Sequence, residues 1–233
     1  MPQKIIYIAN IGNVPFYKKR DAKTIKIRIS GSDIKVSMPT WVPYKAAVAY
    51  ITNRSDWVLK NLKPKANLAT GSRIGKQTIL QLESTHSERF TSKFKNYELL
   101  IKIPDKYSFE STEAQNKILK YVTNALQIES EDTLLPIIRQ KANETGHNVN
   151  KIEIKNLKSR WGSCNSKNDL TFSLFLIQLP WYAIEYVIYH ELAHTVHMNH
   201  SKEFWGEVSK FVPNYKEIRQ EMKHYSPHII LQP

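Results

Sequence analysis

The chain has 233 residues, 34 Lys+Arg against 21 Asp+Glu, and a formal net charge of +13. That length supports one large domain or a small domain joined to a medium one, and the single cysteine, Cys164, excludes an intramolecular disulfide. No apolar run reaches the roughly 20 residues that cross a bilayer, and the N-terminal residues lack the features of a secretory signal, so the expectation is a soluble, cytoplasmic protein with no membrane partner.

The charge is unevenly spread. Residues 1–66 hold 13 Lys/Arg and three Asp, a local +10, whereas residues 183–225 hold five basic and six acidic residues. Such a basic segment suits an anionic partner, nucleic acid or a phosphorylated substrate, and suits plain solubility equally well. Its aromatics Phe16, Tyr17, Trp41 and Tyr44 favour nucleic acid.

In chain order, "TIKIRIS" alternates apolar and basic residues with period two, "GSD" supplies turn chemistry and "IKVSMP" alternates again, which predicts a hairpin. Next, Ala46, Ala47, Tyr50, Ile51, Trp57, Val58 and Leu62 recur near helical spacing, and Pro64 ends that run. A β-ribbon with one docked helix results. "GKQTILQLES" and "NYELLIKIP" read as further strands, with the character of the intervening "ERFTSKF" open.

From about residue 108 to 146 a polar, helix-rich connector follows. A break is expected near "ESEDTLLP", with Asp132 or Thr133 capping a second helix and Pro136 in its first turn, where no intrahelical donor is required. "NKIEIKNL" and "DLTFSLFLIQLP" each read as a strand, and Pro180 starts the next helix. There is no internal repeat and no low-complexity tract.

Across 181–197 the sequence is apolar at Ile184, Val187, Ile188, Leu192, Ala193 and Val196, with no Gly or Pro, which predicts a largely buried helix. His190 and His194, four residues apart, project from one face of it, so two imidazole nitrogens can converge on one ion. Glu191, offset by one residue, points beside the ion and can take a proton from activated water. This His-Glu-x-x-His pattern is a moderately specific signal.

A catalytic zinc usually takes three protein ligands. His197 lies roughly 10 Å along the axis from His190 on a continuous helix, too far to share an ion with it. A pair of His194 with His197 at i and i+3 would leave Glu191 away from a ligand, and His197 reads instead as a surface residue at the helix end. His200 can reach back if the chain turns at "MNHS", with Asn199 taking a left-handed conformation and Ser201 capping a fresh helix at "KEFWGEVSKF". Glu203, Glu217 and Glu221 remain carboxylate alternatives for the third position.

Together, "RWGSC" and "LPWYAIEYVIYHELAHTVHMNHSKEFW" resemble the YgjP-like metallopeptidase domain, a relative of the SprT and WLM zinc peptidases. The likeness is strong from about 151 to 225, and weaker over the hairpin and helix of 24–62. The resemblance implies zinc as cofactor, His190, His194 and His200 as its ligands and Glu191 as the catalytic carboxylate. The segment "SRWGSCNSKNDLTFS" belongs to the resemblance, and the expectation is that this hairpin borders the cleft, with Arg160 as an oxyanion or phosphate contact, while Trp161 and Cys164 read as core.

The expected fold is therefore α+β: an N-terminal β-ribbon with a docked helix, a helical connector, and a C-terminal zincin-like metallopeptidase domain whose zinc helix packs on a small sheet. The expected division is a basic strand-rich region, 1–107, and a connector with catalytic region, 108–233. Three functions stand: a zinc peptidase acting on peptide or protein, a metal-dependent nucleoside triphosphate pyrophosphohydrolase, and a nucleic-acid-binding module with a DNA-associated protease role.

Overall fold

The computed structural model describes residues 3–30, 33–62 and 67–229. Its chain divides into two compact units, Met1–Lys65 and Ala66–Pro233. The architecture is α+β.

In the first unit, β1 (Gln3–Ile8), β2 (Gly12–Lys19), β3 (Lys26–Ser30) and β4 (Asp33–Pro39) form a sheet of order β1-β2-β4-β3. The expected hairpin is β3–β4, paired antiparallel with Ile27 opposite Val36; its turn residues Gly31 and Ser32 lie outside the described residues, as does Pro64. Strands β1 and β2 were not anticipated from sequence. They form a second hairpin through Asn10 and Gly12, both at positive φ, and β2 then runs parallel to β4. One face buries Val14, Phe16, Val36 and Met38 against Ala47, Ile51 and Val58.

Those last three residues lie on two helices, not one: α1 (Tyr44–Thr52) and α2 (Ser55–Asn61). Thr52 and Asn53 are poor helix formers, and Arg54 leaves helical geometry with its guanidinium donating to the Tyr50 carbonyl at 3.3 Å, its plane 3.8 Å from the Tyr50 ring. A carbonyl left open at the end of α1 is thereby satisfied.

The second unit begins with β5 (Ile79–Thr85), β6 (Thr91–Lys95) and β7 (Glu98–Pro104), so "ERFTSKF" does contain a strand. Consecutive left-handed residues, Asn96 and Tyr97, make the β6–β7 turn. Leu80, Leu99, Ile101 and Ile103 share one core with Ile118, Val122 and Leu126 of α3 (Thr112–Thr145). The three strands grouped by sequence with region 1–107 therefore belong to the second compact unit, because their buried face packs against α3.

The expected break in that helix is absent. Helix α3 runs 34 residues from the Ser111 cap to left-handed Gly146, with Pro136 inside it. Pro136 is exposed, and its missing N–H deprives only the exposed Asp132 of a backbone partner. Leu134 and Ile138, both fully buried, hold the helix on course across the site of the lost bond. Packing has overridden local propensity.

Strands β8 (Lys151–Lys155), β9 (Gly162–Cys164) and β10 (Asp169–Ser173) form the remaining sheet, with β10 central and β9 at an edge. The strand expected across 169–180 stops at Ser173, whose hydroxyl accepts from the Phe175 N–H and donates to the Leu157 carbonyl. A buried 3-10 turn, Leu174–Gln178, follows and delivers the chain to α4 (Trp181–Ala193). Helices α5 (Lys202–Phe211) and α6 (Tyr215–Glu221) complete the unit. Among the described residues no helix is long and apolar enough to cross a membrane.

Candidate active site

Helix α4 carries His190 and Glu191 in its last turn, and His194 stands at its C-cap. The helix ends there and not at 197, because the chain turns at 195–200. Asn199 makes this turn without a left-handed backbone: its side-chain oxygen accepts from the Ser201 N–H at 3.2 Å, and Ser201 in turn caps α5 by accepting from the Phe204 N–H. The turn folds His200 back towards α4.

The result is a trio. One ring nitrogen from each of His190, His194 and His200 lies within 4.8 Å of the other two, and Nε2 of His190 is 3.1 Å from Nε2 of His200. Two nitrogens bound at about 2.0–2.1 Å in a tetrahedral site would be about 3.3 Å apart. Two neutral imidazoles with lone pairs facing this closely repel unless a cation or a proton lies between them, so the arrangement fits a divalent ion. His194 is set by a further contact: its Nδ1 lies 3.0 Å from the His197 carbonyl, which can only accept, so Nδ1 carries the proton and Nε2 is free to ligate. Sequence reading treated His197 as surface; its backbone oxygen orients a neighbouring imidazole.

Phe204, fully buried, underlies all three rings at centroid distances of 4.9, 4.5 and 4.7 Å from His190, His194 and His200. Burial pushes His190 down to about 3, helped by the charges of His194, His200 and Arg219, which keeps that imidazole neutral. Burial also lowers His194. Neutral imidazole is the form that binds metal.

Glu191 is 6% exposed, and burial pushes its carboxyl up to about 8, opposed by the charge of the exposed Arg160. It rests against the β9 backbone: a Cβ at Gly162 would stand 2.6 Å from Glu191 Cγ and 2.7 Å from Oε1. Only glycine leaves this space, and a glycine within a strand marks such close approaches. Gly162→Ala should therefore displace the Glu191 carboxylate from its place against β9, which a crystal structure of the variant checks.

Trp161 and Cys164, expected in the core, are half-buried and pack against its margin. Burial, with Glu191 and Asp169 adding, pushes the Cys164 thiol up to about 11, which leaves it a poor nucleophile. Glu203 and Glu217 are exposed, and Glu221 accepts from Tyr225 at 3.0 Å and from Tyr182; none joins the histidine trio. Arg219, which sequence reading did not single out, lies on α6 with its guanidinium 4.8 Å from the Trp205 ring, and Trp205 is 5.8 and 5.6 Å from His190 and His200. No spacing rule could have found it, since only the fold brings α6 to α4.

The family model for the YgjP-like metallopeptidase domain matches residues 23–225. The chain belongs to the YgjP-like metallopeptidase family. Comparison with curated proteins gives no match. A crystal structure of the metallopeptidase zymogen abylysin of Pyrococcus abyssi is similar at 25% identity, covering 42% of this chain and 100% of that one, with a TM-score of 0.37. Membership makes this YgjP-like chain a hydrolase of the metallopeptidase class, and the histidine trio is compatible with the metal cofactor that class implies.

Proposed function

We propose that this YgjP-like protein is a zinc-dependent peptidase in which His190, His194 and His200 hold the metal and Glu191 is the general base. The carrying observation is the convergence of three imidazoles at the end of the helix that carries the buried Glu191 carboxylate. When bound there, zinc supplies Lewis acidity to a scissile carbonyl and lowers the pKa of water.

Glu191 holds the proton taken from the attacking water and passes it to the leaving amine. Its burial makes the carboxylate a stronger proton acceptor than an exposed one. Strand β9 pairs with β10 on one side only among the described residues, leaving a backbone edge beside Glu191 for an extended peptide to join. In this reading Arg160, whose charge reaches Glu191, is the contact for a developing oxyanion.

A second reading, hydrolysis of a nucleoside triphosphate between phosphates, draws on the two guanidinium groups, Arg160 and Arg219, whose charges reach Glu191 and His190. Zinc-loaded protein offered casein, a peptide mixture and a nucleotide panel separates the two. The peptidase reading predicts new peptide termini, lost on chelation and restored by zinc; pyrophosphate release without peptide cleavage would establish the second reading in its place.

A further inference from the structure

We propose that the outer face of the N-terminal sheet is a platform for single-stranded nucleic acid. Strand pairing sorts the residues of this sheet onto two faces. The inner face carries Val14, Phe16, Val36 and Met38; Phe16 and Tyr44, which composition alone would count among binding aromatics, pack edge to face at 6.4 Å on that side. Among the described residues of the unit, the buried side chains of both helices pack with the inner face.

Ile5 and Tyr7 of β1 lie on this outer face, 60% and 71% exposed, and Tyr17 of β2 is half-buried beside them. Tyr17 pairs with Ser37, and Ser37 with Lys26, so one row crosses from an aromatic ring to a cation. The neighbouring row pairs Lys35 with Arg28. Lys26, Arg28 and Lys35 are all exposed, and no described carboxylate side chain lies among them.

Rings therefore occupy the β1–β2 half of the face and cations the β4–β3 half, roughly 10 Å apart across two strand spacings. A polyanion that presents flat apolar groups alongside its charges complements both halves. Single-stranded nucleic acid has that chemistry, since its unpaired bases stack on aromatic rings while its phosphates meet Lys and Arg. A duplex keeps its bases stacked inside, whereas the outer face of this sheet offers its side chains to bases that are unpaired. The local +10 charge of residues 1–66 supplies the long-range attraction.

The experiment is fluorescence anisotropy of a labelled 20-nucleotide oligothymidylate with the full-length protein, across a salt series. Wild type should bind with a steep salt dependence. Replacing Lys26, Arg28 and Lys35 together by Ala should weaken binding more than tenfold and reduce the log–log salt slope by about two, at about 0.7 per phosphate for single strands. Tyr7→Ala with Tyr17→Ala should weaken binding about tenfold or more with the slope nearly unchanged. His190→Ala should bind as wild type does, since the platform lies in the other compact unit and does not depend on the metal reading.

Unchanged binding in the double tyrosine variant would overturn the stacking platform, as would tighter binding of duplex than of single strand. Equal or tighter binding to vesicles of anionic phospholipid would assign the face to a membrane surface. Thermal melts coinciding with wild type show that a loss of binding is not a loss of fold.

Discussion

Glu191→Gln should lower kcat/KM on a cleaved peptide by about 10²–10⁴-fold while zinc content stays at the wild-type level. The substitution keeps the shape of the side chain and removes its ability to hold a proton. Glu191 packs against Gly162 at a distance that admits no Cβ, so an isosteric amide occupies the same slot. Because burial already disfavours the charged carboxylate, the variant should melt no lower than wild type. A drop in kcat with KM unchanged is the expected pattern for a group that acts in the transition state. Full activity in this variant, measured at saturating zinc, would remove Glu191 from the chemistry.

Glu129→Ala should destabilise the second unit by about 3–5 kcal/mol, lowering its melting temperature by roughly 10 °C or more. Glu129 is fully buried on α3, and its carboxylate accepts from the Gln77 N–H at 2.7 Å, the Thr78 N–H at 3.3 Å and the Thr78 hydroxyl at 2.6 Å. Removing the acceptor leaves the Thr78 N–H and hydroxyl buried without this partner. The same turn cannot carry a side chain at Gly75, where a Cβ would meet the Glu129 carboxylate at 1.9 Å.

That turn also fixes the approach to the histidine helix. Lys76 donates to the Leu179 carbonyl at 2.6 Å, and the Gln178 amide donates to the Ile74 carbonyl at 2.9 Å, just ahead of α4. Differential scanning fluorimetry with and without zinc measures the loss. A variant within 1 °C of wild type would show that the buried carboxylate is not what secures this turn.

Sequence carried the α+β class and the grouping of His190, His194 and His200, and it carried the boundaries of individual elements less far. His190, Glu191 and His194 follow from helical spacing alone, and the trio needed only a decision on how the chain turns after residue 194. That decision rests on the Asn199 and Ser201 side chains bonding to local backbone, which short-range chemistry makes legible even though the left-handed Asn199 was the wrong device.

Pro136 shows the opposite limit. A local rule predicts a break, and the buried stripe through Leu134 and Ile138 overrides it, because the lost hydrogen bond falls on the solvent side. The opening hairpin escaped notice because "QKIIYI" does not alternate cleanly: both faces of β1 carry apolar residues, Ile6 and Ile8 inward and Ile5 and Tyr7 outward. Its outward pair is what the single-strand platform uses. Gly162 and Arg219 depend on contacts between elements distant in sequence, and no periodicity encodes them.

The most direct measurement is competitive zinc binding against a chromophoric chelator, comparing wild type with His200→Ala, supported by metal analysis of the purified proteins. With three imidazoles as the ligand set, wild type takes up one zinc per chain, and His200→Ala, folded by circular dichroism, binds at least tenfold more weakly. A His200→Ala protein that holds zinc as tightly as wild type would contradict the ligand set on which the proposed chemistry rests.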